Sequence, residues 1–348
     1  MDRPLISFML FAYNQENYVR RAVEAAMAQT YSPLEIILSD DASSDRTFDL
    51  MQQMAEEYRG PHQIRLNRNP QNLGIGGHVN RLMELARGEL IVVAAGDDIS
   101  LPNRVEQCWQ AYRDSAGTAM SIYSCLILID ENERRQGTVQ RPLPAGINEL
   151  ACRIADIGVC GCSHCWHRSV FDIFGPMIHE TVYEDKAIPF RSILLGRILY
   201  LDEPLVLYRR HTGNISAPRQ SLWPRAEVRA HVVKKQKRRL LTLKNYDRDL
   251  RQDHAGIKIA PEVRASVLSE VLRQVRLLEL DIAFNEGFFR DRVRVIGQGV
   301  RFGVGMNWIG KWCIRLFYPF HLVRVRRHLL RELRSRDQSC SPTTDDGV

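Results

Sequence analysis

The sequence predicts an α/β protein built on a mostly parallel mixed sheet with helices on both faces, followed by a helical, basic C-terminal region. Three observations predict it. Apolar runs of strand length alternate with segments of helical periodicity through the first hundred or so residues; paired acidic residues stand directly after two of those runs; and long helical patterns take over from Ser221 onward. Strands that alternate with helices of this length imply parallel pairing, with both sheet faces covered.

Leu5 to Ala12 is the first apolar run, and Val19, Val23 and Ala26 then recur at helical spacing within Asn17 to Gln29. Leu34 to Ser39 is the second run. It ends in the polar loop Asp40-Asp41-Ala42-Ser43-Ser44-Asp45, after which Phe48, Met51, Met54 and Tyr58 mark a helix. A third strand near Gln63 to Asn67 leads through a turn-rich stretch to a helix over Gly77 to Ala86, then a fourth strand, Glu89 to Ala95. In such sheets ligands collect at the carboxyl ends of the strands. Asp40-Asp41 and Asp97-Asp98 both fall at that edge. Beyond Leu101 the sequence predicts a helix near Arg104 to Asp114, a strand over Ala119 to Leu128, a looser region to about Cys165, and a helix over Lys186 to Leu195. Val263, Val267, Val271, Val275, Leu278 and Ile282 form one apolar stripe of a late amphipathic helix. The expected division is a catalytic domain over 1–218, a helical region over 219–336 and a disordered tail over 337–348.

A chain of 348 residues can hold one large domain, or a domain of about 200 residues with an appendage. Its composition, 45% hydrophobic and 26% charged, is that of a folded globular protein. The net charge of +7 is uneven: from Arg301 to Arg336 nine Lys or Arg stand against one acid, Glu332. Anionic lipid, an acidic glycan or nucleic acid could each meet that charge, but no nucleic-acid motif accompanies it, so no nucleic-acid partner is expected. The opening Met1-Asp2-Arg3-Pro4 lacks the regions of a secretory signal, and Lys311 and Arg315 interrupt the longest apolar stretch, Phe302 to Val323. A cytoplasmic protein is expected, either free or peripheral on the inner face of the membrane. For the C-terminal segment two readings stay open: rings and cations lying on anionic lipid, or a helix packed on the protein with its basic face in water.

Eight cysteines in such a chain read as reduced thiols. The cluster Cys160-Gly161-Cys162-Ser163-His164-Cys165-Trp166-His167 invites zinc, yet its spacing matches none of the usual paired-ligand patterns, and its initial alternation suits a strand. Structural thiols are the preferred reading.

Asp97-Asp98 projects from a strand end, where two carboxylates suit a hard divalent cation that completes its shell from a substrate diphosphate; capping of the helix near Asn103 is the alternative. In the Asp40 loop, Ser44 or Asp45 is a ready cap for the helix near Thr47, which leaves surplus carboxylates for a nucleobase N–H or ribose hydroxyls. Glu184-Asp185 either meets the positive end of the helix it opens or performs chemistry. His211 lies in Tyr208-Arg209-Arg210-His211-Thr212-Gly213-Asn214-Ile215-Ser216, between basic residues and a turn.

Taken together and in order, ISFMLFAYNQENYVRRAVEAAMAQTYSPLEIILSDDASSD, NLGIGGHVNRLMELARGELIVVAAGDD, FDIFGP, YEDKAIPFRSILLG and YRRHTGNIS resemble the family-two glycosyltransferases, which have the GT-A nucleotide-diphospho-sugar fold. The resemblance covers roughly Pro4 to Ser216. It implies a metal-dependent, inverting hexosyltransferase that uses a nucleotide-diphospho-sugar donor, a glycan or lipid-linked glycan acceptor, and manganese or magnesium. Carried over by position, it assigns Ala12, Tyr13 and Glu16 to the nucleoside pocket and Asp40 or Asp41 to the base. Asp97 falls to ribose or sugar, Asp98 and His211 to the metal, and Asp185 to the general base. Two departures stand out: Ala95 occupies a place that often holds another Asp, and Val79 replaces a frequent Arg before Asn80. Sequences of this kind are common in bacterial surface-polysaccharide assembly, the setting the resemblance implies. A glycoside hydrolase would use the same residue types but leaves the strand-end acid pair unexplained. The alternative from another class is a non-catalytic module that binds nucleotide sugars, which would have no need of a base.

Overall fold

The structure, a computed structural model, describes residues 3–142, 159–211 and 225–317. They fall into two compact units, one comprising Met1–Pro218 with Leu241–Gln274, the other Arg219–Leu240 with Val275–Val348.

Among the described residues the first unit carries nine strands in one mixed sheet. Its elements are β1 (Ile6–Ala12), α1 (Val19–Met27), β2 (Leu34–Asp40), α2 (Thr47–Glu57), β3 (Gln63–Arg68), α3 (Gly74–Leu85), β4 (Leu90–Ala95) and β5 (Ile99–Ser100). They are followed by α4 (Arg104–Asp114), β6 (Ala119–Ile129), β7 (Arg135–Val139), a 3-10 turn (Gly161–Ser163), β8 (Cys165–His167), α5 (Ser169–Phe174), α6 (Glu184–Leu195) and β9 (Arg197–Arg209). The order across the sheet is β3-β2-β1-β4-β8-β6-β9-β5, with β7 on β6. β1 pairs in parallel with β2 and β4, and β2 with β3, as the apolar runs require. The short β8 lies antiparallel between β4 and β6, which makes the sheet mixed.

Central strands buried on both faces read as continuous apolar runs. All seven residues of β2 are buried. Phe8 and Val92, register partners on β1 and β4, are wholly buried, and burying such a side chain is worth about 1.5–3 kcal/mol. Val19 and Val23 of α1, Met51 of α2, and Val105 and Trp109 of α4 join the same core. In the cysteine cluster the structure corrects the strand expected at its start. Ser163 N–H donates to Cys160 O at 2.9 Å and His164 N–H to Gly161 O at 3.1 Å, so the chain turns there and extends only from Cys165.

Helices α7 (Arg225–Leu250) and α8 (Pro261–Glu286) contribute residues to both units, and α9 (Phe289–Arg301) and α10 (Met306–Phe317) belong to the second. Of the expected stripe, Val267, Val271 and Ile282 are buried, whereas Val263 is exposed. Leu280, Phe284, Val295 and Trp312 form the core of the second unit, and Trp312 Nε1 donates to Asp281 at 2.8 Å. Thus Trp312 is internal, while Phe302 and Met306 are exposed. Among the described residues no helix is long and apolar enough to cross a membrane. The expected tail over 337–348 lies outside the described residues, as do Arg324, Arg326 and Arg327 of the basic segment and Thr212 to Ser216 of the last motif.

Candidate active site

The site is assembled at the carboxyl edge, where β1, β2 and β4 end side by side. Ala12 is the register partner of Asp40, and Asp41 N–H donates to Ala12 O at 3.0 Å. The loops beyond are laced together: Asn14 N–H donates to Ser43 Oγ at 2.8 Å, Gln15 N–H to Thr47 Oγ1 at 2.8 Å, and Arg46 N–H to Glu16 Oε2 at 3.2 Å. Asn14 accepts this with φ of 52°, a left-handed conformation that Asn tolerates. Tyr13 is half exposed beside it. Asp45 accepts from Thr47 N–H at 3.0 Å, and hydrogen bonds from Thr47 and Glu16 hold its carboxyl below the usual range against the cost of burial. Asp45 therefore serves the start of α2.

The sequence leaves Asp40 and Asp41 equivalent; the structure separates them. Asp41 Oδ1 accepts from Asn69 Nδ2 at 2.8 Å and Leu73 N–H at 2.9 Å, and its Oδ2 from Gly74 N–H at 3.0 Å. Both its oxygens are spent on the turn that opens α3. Asp40 is wholly buried, with Oδ2 bonded to Ser43 N–H at 2.9 Å and Oδ1 lacking any hydrogen-bond partner. A buried acceptor left this way is costly unless something donates to it.

At the end of β4, Gly96 allows a close approach: a Cβ there would stand 2.4 Å from Gln15 Oε1 and 2.7 Å from Ala12 Cβ. Asp97 and Asp98 follow, both buried. Neither caps α4, whose start at Asn103 has no side-chain cap. Asp98 Oδ1 accepts from Arg209 N–H at 2.9 Å, and Arg209 Nε donates to Asp97 O at 3.0 Å. His211 Nε2 lies 2.9 Å from Asp97 Oδ2, with its ring 4.8 Å from that of Tyr18. His211 is thus brought against Asp97, and Asp98 against Arg209. Burial, then the charge of Asp97, holds the Asp98 carboxyl well above its usual range.

This donor set fits a hard divalent cation. Carboxylate oxygens and an imidazole suit manganese, and a cation would offset the repulsion between the two acids. Among the described residues no three His, Cys, Asp or Glu side chains are disposed to hold a metal by themselves. Oxygens from a bound diphosphate would have to complete the shell.

Glu184 and Asp185 open α6. Burial, then the charge of Asp185, pushes the Glu184 carboxyl up to about 8, so Glu184 keeps a proton near neutral pH. α6 is fixed from behind by a wholly buried ion pair, Arg191 Nε to Asp249 Oδ2 at 2.8 Å, and by Phe190 stacked on Tyr246 at 3.9 Å. Of the residues that invite zinc, His164 bonds Ser121 Oγ at 2.8 Å and is held neutral by burial, its pKa pushed down to about 3, and His167 bonds Ser169. Of the two departures, Val79 is buried in α3, and its neighbour Asn80 exchanges two 2.9 Å hydrogen bonds with the backbone of Met177. Sequence reasoning missed Arg209, Arg191 and Asp249. Arg209 stood in a run of basic residues, and no local signal marks an ion pair 58 residues apart.

A mixed sheet of this order with buried acid pairs at its carboxyl edge defines a GT-A nucleotide-diphospho-sugar fold. S. aureus TarS residues 1–349, solved with UDP-GlcNAc, superposes with a TM-score of 0.56 at 15% identity, covering 87% of this chain and 89% of that one. The mannosyltransferase PcManGT from Pyrobaculum calidifontis, solved with GDP-Man and Mn2+, gives a TM-score of 0.51 at 14% identity, covering 91% and 88%. The profile of glycosyl transferase family 2 matches residues 7–174, and this part of the chain belongs to that family. Chondroitin synthase of Escherichia coli is 33% identical over 136 residues, which is 39% of this chain and 18% of that protein. Alignments with the first curated relatives span 66%, 18% and 63% of the relatives' own lengths.

Proposed function

We propose that the protein is an inverting glycosyltransferase that moves a hexosyl group from a nucleoside-diphosphate donor to an acceptor hydroxyl. The observation that carries this reading is the buried Asp97–Asp98 pair with His211 against it, at the carboxyl end of β4. Asp40, with its unpartnered Oδ1, receives an N–H of the base, while Asp41 holds the adjoining turn. Ala12, Tyr13 and Glu16 line the nucleoside side. Asp97, Asp98 and His211 would hold a divalent cation, which supplies Lewis-acid stabilisation of the departing diphosphate when bound. Asp185 takes the acceptor proton as the hydroxyl oxygen attacks the anomeric carbon from the face opposite the diphosphate. Glu184, protonated beside it, leaves that role to Asp185.

The nucleotide sugars in the two related structures and the chondroitin synthase relative support this donor class and a place in polysaccharide assembly. Residues 1–218 form the catalytic domain in this reading. The exposed Phe302 and Met306 near Arg301 and Lys311 support peripheral attachment to an anionic membrane, which suits a lipid-linked acceptor. Calorimetric screening of nucleotide sugars with manganese, with and without EDTA, tests the proposal. One donor should bind and its affinity should fall on chelation; no binding by any donor would overturn it.

A further inference from the structure

The chain on both sides of Asp185 is gripped by one turn of α7. Leu241–Gln274 belongs to the same compact unit as the sheet. Within it Asn245 is wholly buried, and its carboxamide spans the loop that leads into α6. Oδ1 accepts from Ile178 N–H at 3.0 Å, and Nδ2 donates to Thr181 Oγ1 at 2.8 Å. Just past Asp185, Tyr246 OH donates to Lys186 O at 3.2 Å while its ring stacks on Phe190. Asp249 adds the ion pair to Arg191, whose guanidinium also donates to Gly175 O at 2.8 Å. Asn245 and Tyr246 stand four and three residues before Asp249, so the three share one helix face. The loop is tied on its far side to α3, where Gly76 N–H donates to Thr181 O at 2.8 Å and Asn80 holds Met177.

We infer that Asn245 and Tyr246 are positioning residues for Asp185, so that the catalytic machinery takes in one turn of a helix beyond residues 1–218. The inference rests on the role proposed above for Asp185. The first turn of α6 needs this support because Pro189 offers no N–H to Asp185 O, which accepts instead from Val159 N–H at 3.2 Å. The head of the helix is therefore held from outside. Ile178 N–H and the Thr181 hydroxyl are polar groups in a closely packed loop and require partners. Without the Asn245 carboxamide the loop must shift to find others, and the base at the head of α6 shifts with it.

The test uses the full chain, with circular dichroism confirming the fold of each variant. Affinity for the donor selected by the calorimetric screen, in manganese, is compared with kcat for release of its nucleoside diphosphate. Asn245→Ala and Thr181→Val should each lower kcat at least about tenfold, within the range for a displacement of about 1 Å at a reacting group, while donor affinity stays within about twofold. Thr181→Ser keeps the hydroxyl and should hold kcat within about threefold of wild type. Added to Asp185→Asn, Asn245→Ala should lower kcat no further, since a missing base cannot be displaced. Unchanged kcat in Asn245→Ala and Thr181→Val, or equal losses with and without Asp185, would overturn the inference. So would a fall in donor affinity as large as the fall in kcat, which marks a general loosening of the fold. If Asn245→Ala does not fold, Thr181→Val and Tyr246→Phe, each removing one hydrogen bond, carry the same test. Asp185→Asn separates this from the parent reading. Normal turnover in that variant means that Asp185 is not the base; a loss there, with none in Thr181→Val and Tyr246→Phe, defeats the positioning role alone.

Discussion

Asp98 accepts a hydrogen bond from the backbone N–H of Arg209 at 2.9 Å, across a separation of 111 residues. The Arg209 side chain returns to the same loop through Asp97 O, and its guanidinium reaches Glu133 Oε1 at 3.1 Å. The loop after β4 is therefore set by the last residue of β9. Residues that come early in the chain acquire their geometry from one that comes late.

If Asp98 anchors the cation, Asp98→Ala should abolish transfer and weaken donor binding in manganese or magnesium, and EDTA should do the same to the wild type. Full wild-type activity in EDTA would rule out metal dependence.

Asp185→Asn should retain donor affinity and lose at least about two orders of magnitude in turnover, the range for loss of a general base. Normal turnover would move the role elsewhere, with Glu184 the first alternative. Slow donor hydrolysis without acceptor, absent in Asp185→Asn, would distinguish an enzyme from a binding module.

Glu184 supplies a pH test. Its folded pKa of about 8 lies above the ordinary Glu value of about 4.3, so the folded protein retains a proton that the unfolded chain releases. The stability this provides is complete below about pH 4 and is lost as the pH rises through 8. Glu184→Gln never ionises. Its Tm relative to wild type should therefore rise from pH 4.5 to pH 8.5; a difference that does not change with pH contradicts the protonated state.

The Arg191–Asp249 pair is wholly buried, so Asp249→Ala should cost about 3–5 kcal/mol in urea unfolding, because it strands a guanidinium that burial already disfavours. Replacing both partners with Met and Leu should cost much less. Equal losses in the two variants would show that the charge pairing is not what matters.

Full-length protein should pellet with anionic vesicles at low salt, and a form ending at Val300 should not. Failure of the first, or equal pelleting of both, removes the membrane role of the C-terminal segment.

Much of the sheet was legible because β1, β2 and β4 are buried on both faces and so spell mainly apolar runs, with Ser7 and Glu35 hydrogen-bonded to each other inside them. The acid pairs were legible as strand-end residues. What the sequence could not carry was direction and partner. Three residues of β8 are too few to show a period, and Cys160-Gly161-Cys162 alternates like a strand while its hydrogen bonds close a turn. Asp40 and Asp41 are identical side by side, and only the turn at Leu73 and Gly74 distinguishes them. Ion pairs such as Arg191 with Asp249 depend on helices that meet only after folding.

The reversed direction of β8 has a consequence for how such a protein can diversify. β6 runs parallel to β9 and antiparallel to β8, while β8 runs antiparallel to β4. The chain leaves β6 at Ile129, pairs back on it as β7, and rejoins the sheet at Cys165 on the same edge as Asp97. The first part of that stretch is tied to the frame: Glu133 accepts from the Arg209 guanidinium, whose backbone N–H meets Asp98, so a change before β7 is felt at the acid pair.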